Sequence, residues 1–227
     1  MMMTMRVQAL VPAFNEARTI AKVVTGLFPH VAAVCVVDDK STDGTADAAR
    51  SAGADVMVNP GDRGKGTAIR SGLARVLQRD CSHVLLIDGD LQHLPAEAPL
   101  LIAEAERTGA DVVLGERRFD RGAMPASRYH ANRIGSLALS RFLGVAIRDT
   151  QCGFRLFKAD VLRSLPLKAR GYDIETEMLV KLKRRGGLIS SVPITAVYTG
   201  QRSKLRPVRD TTKTCFRAVY YRFLERL

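Results

Sequence analysis

Residues 85–93 read LLIDGDLQH. An apolar run delivers Asp88, and Asp90 and Gln92 follow at alternate positions. Two carboxylates and an amide oxygen at one strand end are hard ligands. They suit Mg²⁺ or Mn²⁺, which keep coordination positions open for phosphate oxygens. The same acids would also serve a helix that begins near Pro95, as capping groups. A strand ending in acids is a pattern the chain repeats. VVDDKSTDGT (36–45) ends an apolar run on Asp38 and Asp39, and VPAFNEARTI (11–20) exposes Pro12, Asn15 and Glu16. Carboxylates in such places accept hydrogen bonds from ribose hydroxyls and base N–H groups. Asp43, Thr45 and Glu16 equally fit helix starts. NPGDRGKGTAIRSG (59–72) is a Gly-rich turn running into a helix with Lys65 at its start, where backbone N–H groups favour an anion. Neither GxxxxGK[ST] nor GxGxxG is present, which argues against an ATPase and a nicotinamide enzyme.

Around these turns, apolar runs alternate with amphipathic stretches. Strands are expected at 6–12, 31–38, 55–58, 83–88 and 111–115. Helices are expected at 16–28, 45–52, 65–77 and 95–108. This βαβα order implies an α/β fold with a mostly parallel central sheet flanked by helices. Ligands in such sheets bind at the carboxyl ends of the strands, where the acids fall. After residue 116 the alternation stops. The reading there is a helix over 127–143, an irregular segment DTQCGFRLF (149–157), a helix over 174–185 and a strand over 190–198. Residues 207–227 form an amphipathic stretch. Val208, Cys215, Phe216, Val219, Tyr220, Phe223, Leu224 and Leu227 share one face, and Arg209, Lys213 and Arg217 lie opposite.

The 227 residues suit one domain, and 46% hydrophobic with 26% charged residues is globular composition. No apolar run reaches the length of a membrane span, and MMMTMR is too short for a signal peptide. Cys35, Cys81, Cys152 and Cys215 are far apart without CxxC, as expected of reduced thiols in a cytoplasmic protein. The net charge of +12 is localised. Residues 117–148 hold seven Arg against one Asp, and residues 202–226 hold eight Lys and Arg against two acids. Together these segments account for the whole excess. Concentrated positive charge implies an anionic partner. The chain has no Trp, few aromatics and no finger or RNP-like motif, so nucleic acid is not the expected partner.

In order and spacing, VPAFNE, VVDDKSTDGT, GKGTAIRSG and DGDLQH together resemble the nucleotide-sugar half of a family-2 glycosyltransferase with the GT-A fold. GERR (115–118), DTQCGFRLF, YDIETEML (172–179) and RSKL (202–205) are similar to the dolichyl- or polyprenyl-phosphate mannosyltransferase branch. The resemblance spans about residues 6–206, as a nucleotide-sugar half to about residue 115 and an acceptor half to 206, followed by the basic helix 207–227. It implies a GDP- or UDP-sugar donor held by Pro12, Asn15, Glu16, Asp38, Asp39, Lys65, Asp88 and Arg202. It implies Mg²⁺ or Mn²⁺ on Asp88, Asp90 and Gln92, and transfer with inversion. Asp90, Arg117, Asp149 and Lys204 are expected to carry the reaction. The acceptor is expected to be a polyprenyl phosphate, held by Arg117, Arg128, Arg133, Gln151 and Arg155. A sugar-hydroxyl acceptor would need a base, for which Asp173 and Glu175 are the candidates. A lipid acceptor implies a peripheral place on the cytoplasmic membrane face, with a membrane-protein partner or a second copy as further candidates. The chain departs from the family at Lys40, where Gly is usual, and at Tyr198, where many relatives have an Arg that Arg202 would replace. A sugar nucleotidyltransferase is the remote alternative, but its Gly-rich, basic first loop is replaced here by PAFNEA.

Overall fold

The computed structural model describes residues 5–117, 126–197, 217, 218, 220 and 221, with the side chains of 126–132 left out. Seven strands form one sheet: β1 (Val7–Ala13), β2 (Ala33–Asp38), β3 (Asp55–Val58), β4 (His83–Leu86), β5 (Val112–Arg117), β6 (Arg155–Lys158) and β7 (Ile189–Ile194). Their order is β3-β2-β1-β4-β6-β5-β7. The pairs from β3 through β4 are parallel, as is β5 with β7. Only β6 runs antiparallel, to both β4 and β5. The expected α/β architecture is therefore present.

Alternation along each strand explains the layers. On β1, Leu10 joins a core with Ala68, Ile69 and Leu73 of α3 (Lys65–Val76) and Met178 and Leu179 of α7 (Ile174–Arg184). Its neighbours Ala9 and Val11 join the opposite core, with Val23, Val24 and Leu27 of α1 (Ile20–Leu27), Ala49 of α2 (Thr45–Ser51) and Leu101 of α4 (Ala98–Thr108). Both faces are covered, so a strand such as β1 is apolar at nearly every position. Helix α1 starts four residues later than its periodicity suggests. Asn15 adopts φ 54°, and residues 16–19 form a turn in which Glu16 O accepts from Thr19 N and Ile20 N. Lys40 lies at φ 64°, in the left-handed region where glycine is at ease. The family's usual residue there thus matches the observed backbone.

The second half corrects the sequence reading. Part of the segment expected to be irregular is strand β6, followed at once by α6 (Ala159–Ser164), and the helix expected from 127 is α5 (Ala126–Leu143). β6 begins on Arg155, which is 1% exposed. Its guanidinium donates to Cys152 O at 2.7 Å, Glu175 O at 2.8 Å and Thr150 O at 2.9 Å. Carbonyls take up its donors, and an Arg expected to hold the acceptor lies in the core. The C-terminal face also differs. Tyr221, not Tyr220, is buried, together with Ala218. Tyr221 Oη donates to Asp173 Oδ2 at 2.8 Å, and Arg184 donates to Tyr221 O at 2.7 Å. This part of the tail thus packs on α7. Among the described residues no helix is long and apolar enough to cross a membrane.

Candidate active site

Strands β2, β1 and β4 are adjacent and parallel, with Ala13 opposite Asp38 and Leu10 opposite Leu86. Their carboxyl ends therefore project Pro12, Glu16, Asp38, Asp39, Asp88 and Asp90 from one edge of the sheet. The loop after β4 is fixed to α1 by Thr19 Oγ1, which donates to Gly89 O at 2.8 Å. Leu91, between Asp90 and Gln92, sits at φ 59°. A branched residue there is strained, and such strain collects where a side chain must be aimed. Gln92 donates from its backbone N at 3.0 Å and its amide at 2.7 Å, one to each oxygen of Asp90.

Lys65, the first residue of α3, places its ammonium 2.7 Å from Asp88 Oδ1 and 2.7 Å from Glu175 Oε1. Burial opposes ionisation of Asp88, but the Lys65 charge outweighs it and holds the carboxyl below its usual range. Asp90 moves the other way. Burial and then the Asp88 charge push it up to about 6. Two close carboxylates thus share too little positive charge to be ionised at equal ease. No three His, Cys, Asp or Glu side chains gather as a metal cluster among the described residues. The oxygen donors present are Asp88, Asp90 and the adjoining Gln92.

Gly153 is the site residue the sequence reading missed, although it lies inside a quoted motif. A Cβ there would stand 2.3 Å from Asp88 Oδ2 and 2.9 Å from its Cγ. Only a bare backbone lets the 149–154 loop close over Asp88. Gly153→Ala is expected to weaken Mn²⁺–UDP or Mn²⁺–GDP binding about tenfold and to cost about 1–3 kcal/mol of stability by overpacking. Calorimetric titration and urea unfolding measure the two; unchanged binding would show that Asp88 is not held by this contact.

The remaining expected residues divide by what engages them. Asp39 is buried and already accepts from Asn59 Nδ2 at 2.7 Å and Gly64 N at 2.8 Å, so it ties β2 to the Gly-rich turn. Asp38 accepts from Ser41 N at 3.2 Å. Asn15 is exposed, and its Oδ1 accepts from Thr42 N at 2.9 Å. Pro12 and Glu16 are half-buried at the cleft edge. Asp149 is fully buried and takes Arg117 through Nε at 2.6 Å and Nη2 at 3.0 Å. It therefore orients Arg117 rather than facing a ligand. Arg155 likewise builds the wall instead of an open acceptor surface. Gln151 is half-buried and donates its N–H to Asp149 at 3.2 Å, and Arg133 is exposed on α5. His93 is buried beside Cys152 and stacks on Phe154 at 5.9 Å, and burial pushes it down to about 4. Arg202 and Lys204 lie outside the described residues, as does the side chain of Arg128.

The sequence profile of the family described as "Glycosyl transferase family 2" matches residues 9–165. "Glycosyltransferase AglJ" of Haloferax volcanii is 36% identical over 206 residues, covering 88% of this chain and 67% of the relative. "Undecaprenyl-phosphate mannosyltransferase" of Micrococcus luteus is 35% identical over 206 residues, covering 85% and 84%. Among solved structures, glucosyl-3-phosphoglycerate synthase from Mycobacterium tuberculosis in complex with phosphoglyceric acid has a TM-score of 0.75 at 25% identity. The alignment covers 96% of this chain and 78% of that one. The same enzyme in complex with Mn²⁺ and UDP-glucose gives 0.74 at 25% identity, with 96% and 79% covered.

Proposed function

Because this chain belongs to glycosyl transferase family 2 and has its GT-A fold, we propose that it transfers a hexose, mannose or a close analogue, from a GDP- or UDP-sugar to a polyprenyl phosphate. The chain is a glycosyltransferase of the family-2 type, using a nucleotide sugar with metal assistance. The observation that carries the finer reading is the state of the two candidate bases. Glu175 is paired with Lys65 at 2.7 Å and lies 3.8 Å from Arg155. Asp173 is buried under the Tyr221 hydroxyl, with Arg217 at 3.5 Å. Both carboxylates are thus engaged by partners within the protein rather than standing free beside an acceptor hydroxyl. A phosphate acceptor brings its own anionic oxygen and needs no base.

The donor set fits a hard divalent cation: two carboxylates, of which Asp90 is pushed up to about 6 by burial and by the Asp88 charge. When bound, such an ion supplies charge neutralisation on the leaving diphosphate. The chain's own residues do the rest. Asp38 and Glu16 stand where ribose hydroxyls would meet the strand ends. Arg117, its fork oriented by Asp149, belongs to the proposal as a phosphate contact. Arg128 and Arg133 belong to the same proposal as the cationic acceptor side, with Gln151 beside Asp149, while Arg202 belongs to the donor side and Lys204 to the reaction as a phosphate contact. The acceptor oxygen attacks the anomeric carbon as the bond to the diphosphate breaks, with inversion. Peripheral contact with the cytoplasmic membrane face goes with a lipid acceptor and is supported by the localised positive charge.

A second reading, transfer to a hydroxyl of a small phosphorylated acceptor, is favoured by the likeness to the phosphoglycerate-bound structure. One experiment separates the two: Mn²⁺ with a panel of GDP- and UDP-sugars, offered polyprenyl phosphate in detergent or 3-phosphoglycerate. Product mass identifies donor and acceptor. A glycosylated phosphoglycerate with no lipid product replaces the first reading by the second.

A further inference from the structure

Lys65 has a position unlike that of the other cations described around the cleft. Arg117 is matched to one carboxylate in a bidentate pair, and Arg155 donates to three carbonyls with Glu175 Oε2 at 3.8 Å. The Lys65 ammonium instead bridges two acids from distant parts of the chain, Asp88 after β4 and Glu175 on the first turn of α7, at 2.7 Å each. All three side chains are largely buried, at 15%, 28% and 13% exposure. The backbone beneath it is pinned: Gly64 N donates to Asp39, and Gly66 N and Thr67 N donate to Arg170 O. The Nζ lies over the Tyr172 ring, 5.9 Å from its centre. The ammonium is therefore held by exchangeable side-chain partners on a fixed pivot.

We propose that Lys65 is the resident counter-ion of the bare site: it occupies Asp88 until a nucleoside diphosphate arrives, and so makes divalent-metal binding conditional on the nucleotide. The inference rests on the reading that Asp88 and Asp90 hold a divalent ion. A dication approaching Asp88 meets an ammonium already within contact distance of that carboxylate, and like charges repel strongly in a partly buried cleft. A diphosphate changes the balance. Its oxygens offer the ammonium a new anionic partner, with Glu175 retained, while Asp88 passes to the metal. Lys65 thus couples two binding events, and coupling of this kind is reciprocal: the metal strengthens nucleotide binding by the factor by which the nucleotide strengthens metal binding. The device also keeps two buried acids paired in the empty enzyme, where each alone would be costly.

The test titrates Mn²⁺ alone into the full chain and counts free Mn²⁺ by electron paramagnetic resonance. The titration is repeated with UDP or GDP present. Lys65→Met is expected to bind Mn²⁺ about tenfold or more tightly than the parent in the empty site, the size of effect one adjacent charge has on an ionisation. Lys65→Arg retains the charge and is expected to show no such gain. With nucleotide present the advantage of Lys65→Met is expected to disappear. Circular dichroism checks the fold; Lys65→Gln, which retains N–H donors without charge, stands in if the Met variant fails to fold. Neutral variants that bind Mn²⁺ no better than the parent overturn the inference, while nucleotide-dependent Mn²⁺ binding in the parent leaves the metal reading intact. No Mn²⁺ binding with or without nucleotide removes the metal reading and this inference with it.

Discussion

Asp90→Ala is expected to lower kcat/KM about 10³-fold or more while the protein stays folded, since losing a ligand that neutralises the leaving diphosphate forfeits several kcal/mol at the transition state. The two effects separate because of where Asp90 sits. Burial and Asp88 push its carboxyl up to about 6, so ionised Asp90 costs the folded state free energy at neutral pH. The sign follows from the raised value. The cost is absent while the group is protonated in both states and grows as pH rises above the unfolded value, so deleting the acid relieves it. Against this stand the two hydrogen bonds from Gln92. The expected melting temperature is therefore close to the parent's, while turnover collapses. The same carboxyl sets a pH limb. Mn²⁺ binding requires it ionised, so affinity in the absence of nucleotide should fall about tenfold per unit below pH 6 and lose that slope in Asp90→Asn. A near-normal rate in Asp90→Ala would contradict the assignment of this strand end to the metal.

That strand end was legible in the sequence for a physical reason. β1 to β5 are apolar runs cut by turn residues, and each intervening helix keeps its apolar face on one side. The acids at the ends of β2 and β4 break the pattern and so stand out. β6 does not read this way. It is four residues long, opens on a buried Arg155 and runs straight into α6. Its place between β4 and β5 depends on pairing across the chain, such as Leu85 with Leu156 and Val113 with Leu156, which no local period records. The contact of Lys65 with Glu175 spans 110 positions and was hidden for the same reason. Gly153 was hidden differently: its role is the absence of an atom near Asp88. At Glu177 sequence position misleads outright. An acid in the first turn of a helix normally faces solvent toward the positive end of the dipole, yet Glu177 is wholly buried.

The burial of Glu177 leads to the largest stability effect expected among the described residues. Its carboxylate accepts from Lys168 N at 2.9 Å and 3.0 Å, from Ala169 N at 2.8 Å and from Lys181 Nζ at 2.6 Å. Lys181 is 1% exposed, donates to Pro166 O at 2.6 Å and has the Tyr221 ring 5.5 Å away. Glu177→Ala leaves an ammonium and two backbone N–H groups buried without their partner, and is expected to cost about 3–5 kcal/mol. That is a large share of the roughly 5–15 kcal/mol that keeps a domain folded. Lys181→Met strands the carboxylate instead, with its backbone donors still in place, and should cost toward the lower end of the same range. The double variant is expected to lose well under the sum, because neither charge is then left alone, and urea unfolding of all four proteins gives the coupling directly. Single variants that each cost under about 1 kcal/mol would mean the pair is hydrated in solution. The consequence reaches the cleft. Glu177 fixes the backbone at 168–169, and the next carbonyl, Arg170 O, accepts from Gly66 N and Thr67 N at the start of α3. A loosened loop should therefore release the pivot of Lys65, and nucleotide affinity should fall in Glu177→Ala even at temperatures where the variant remains folded.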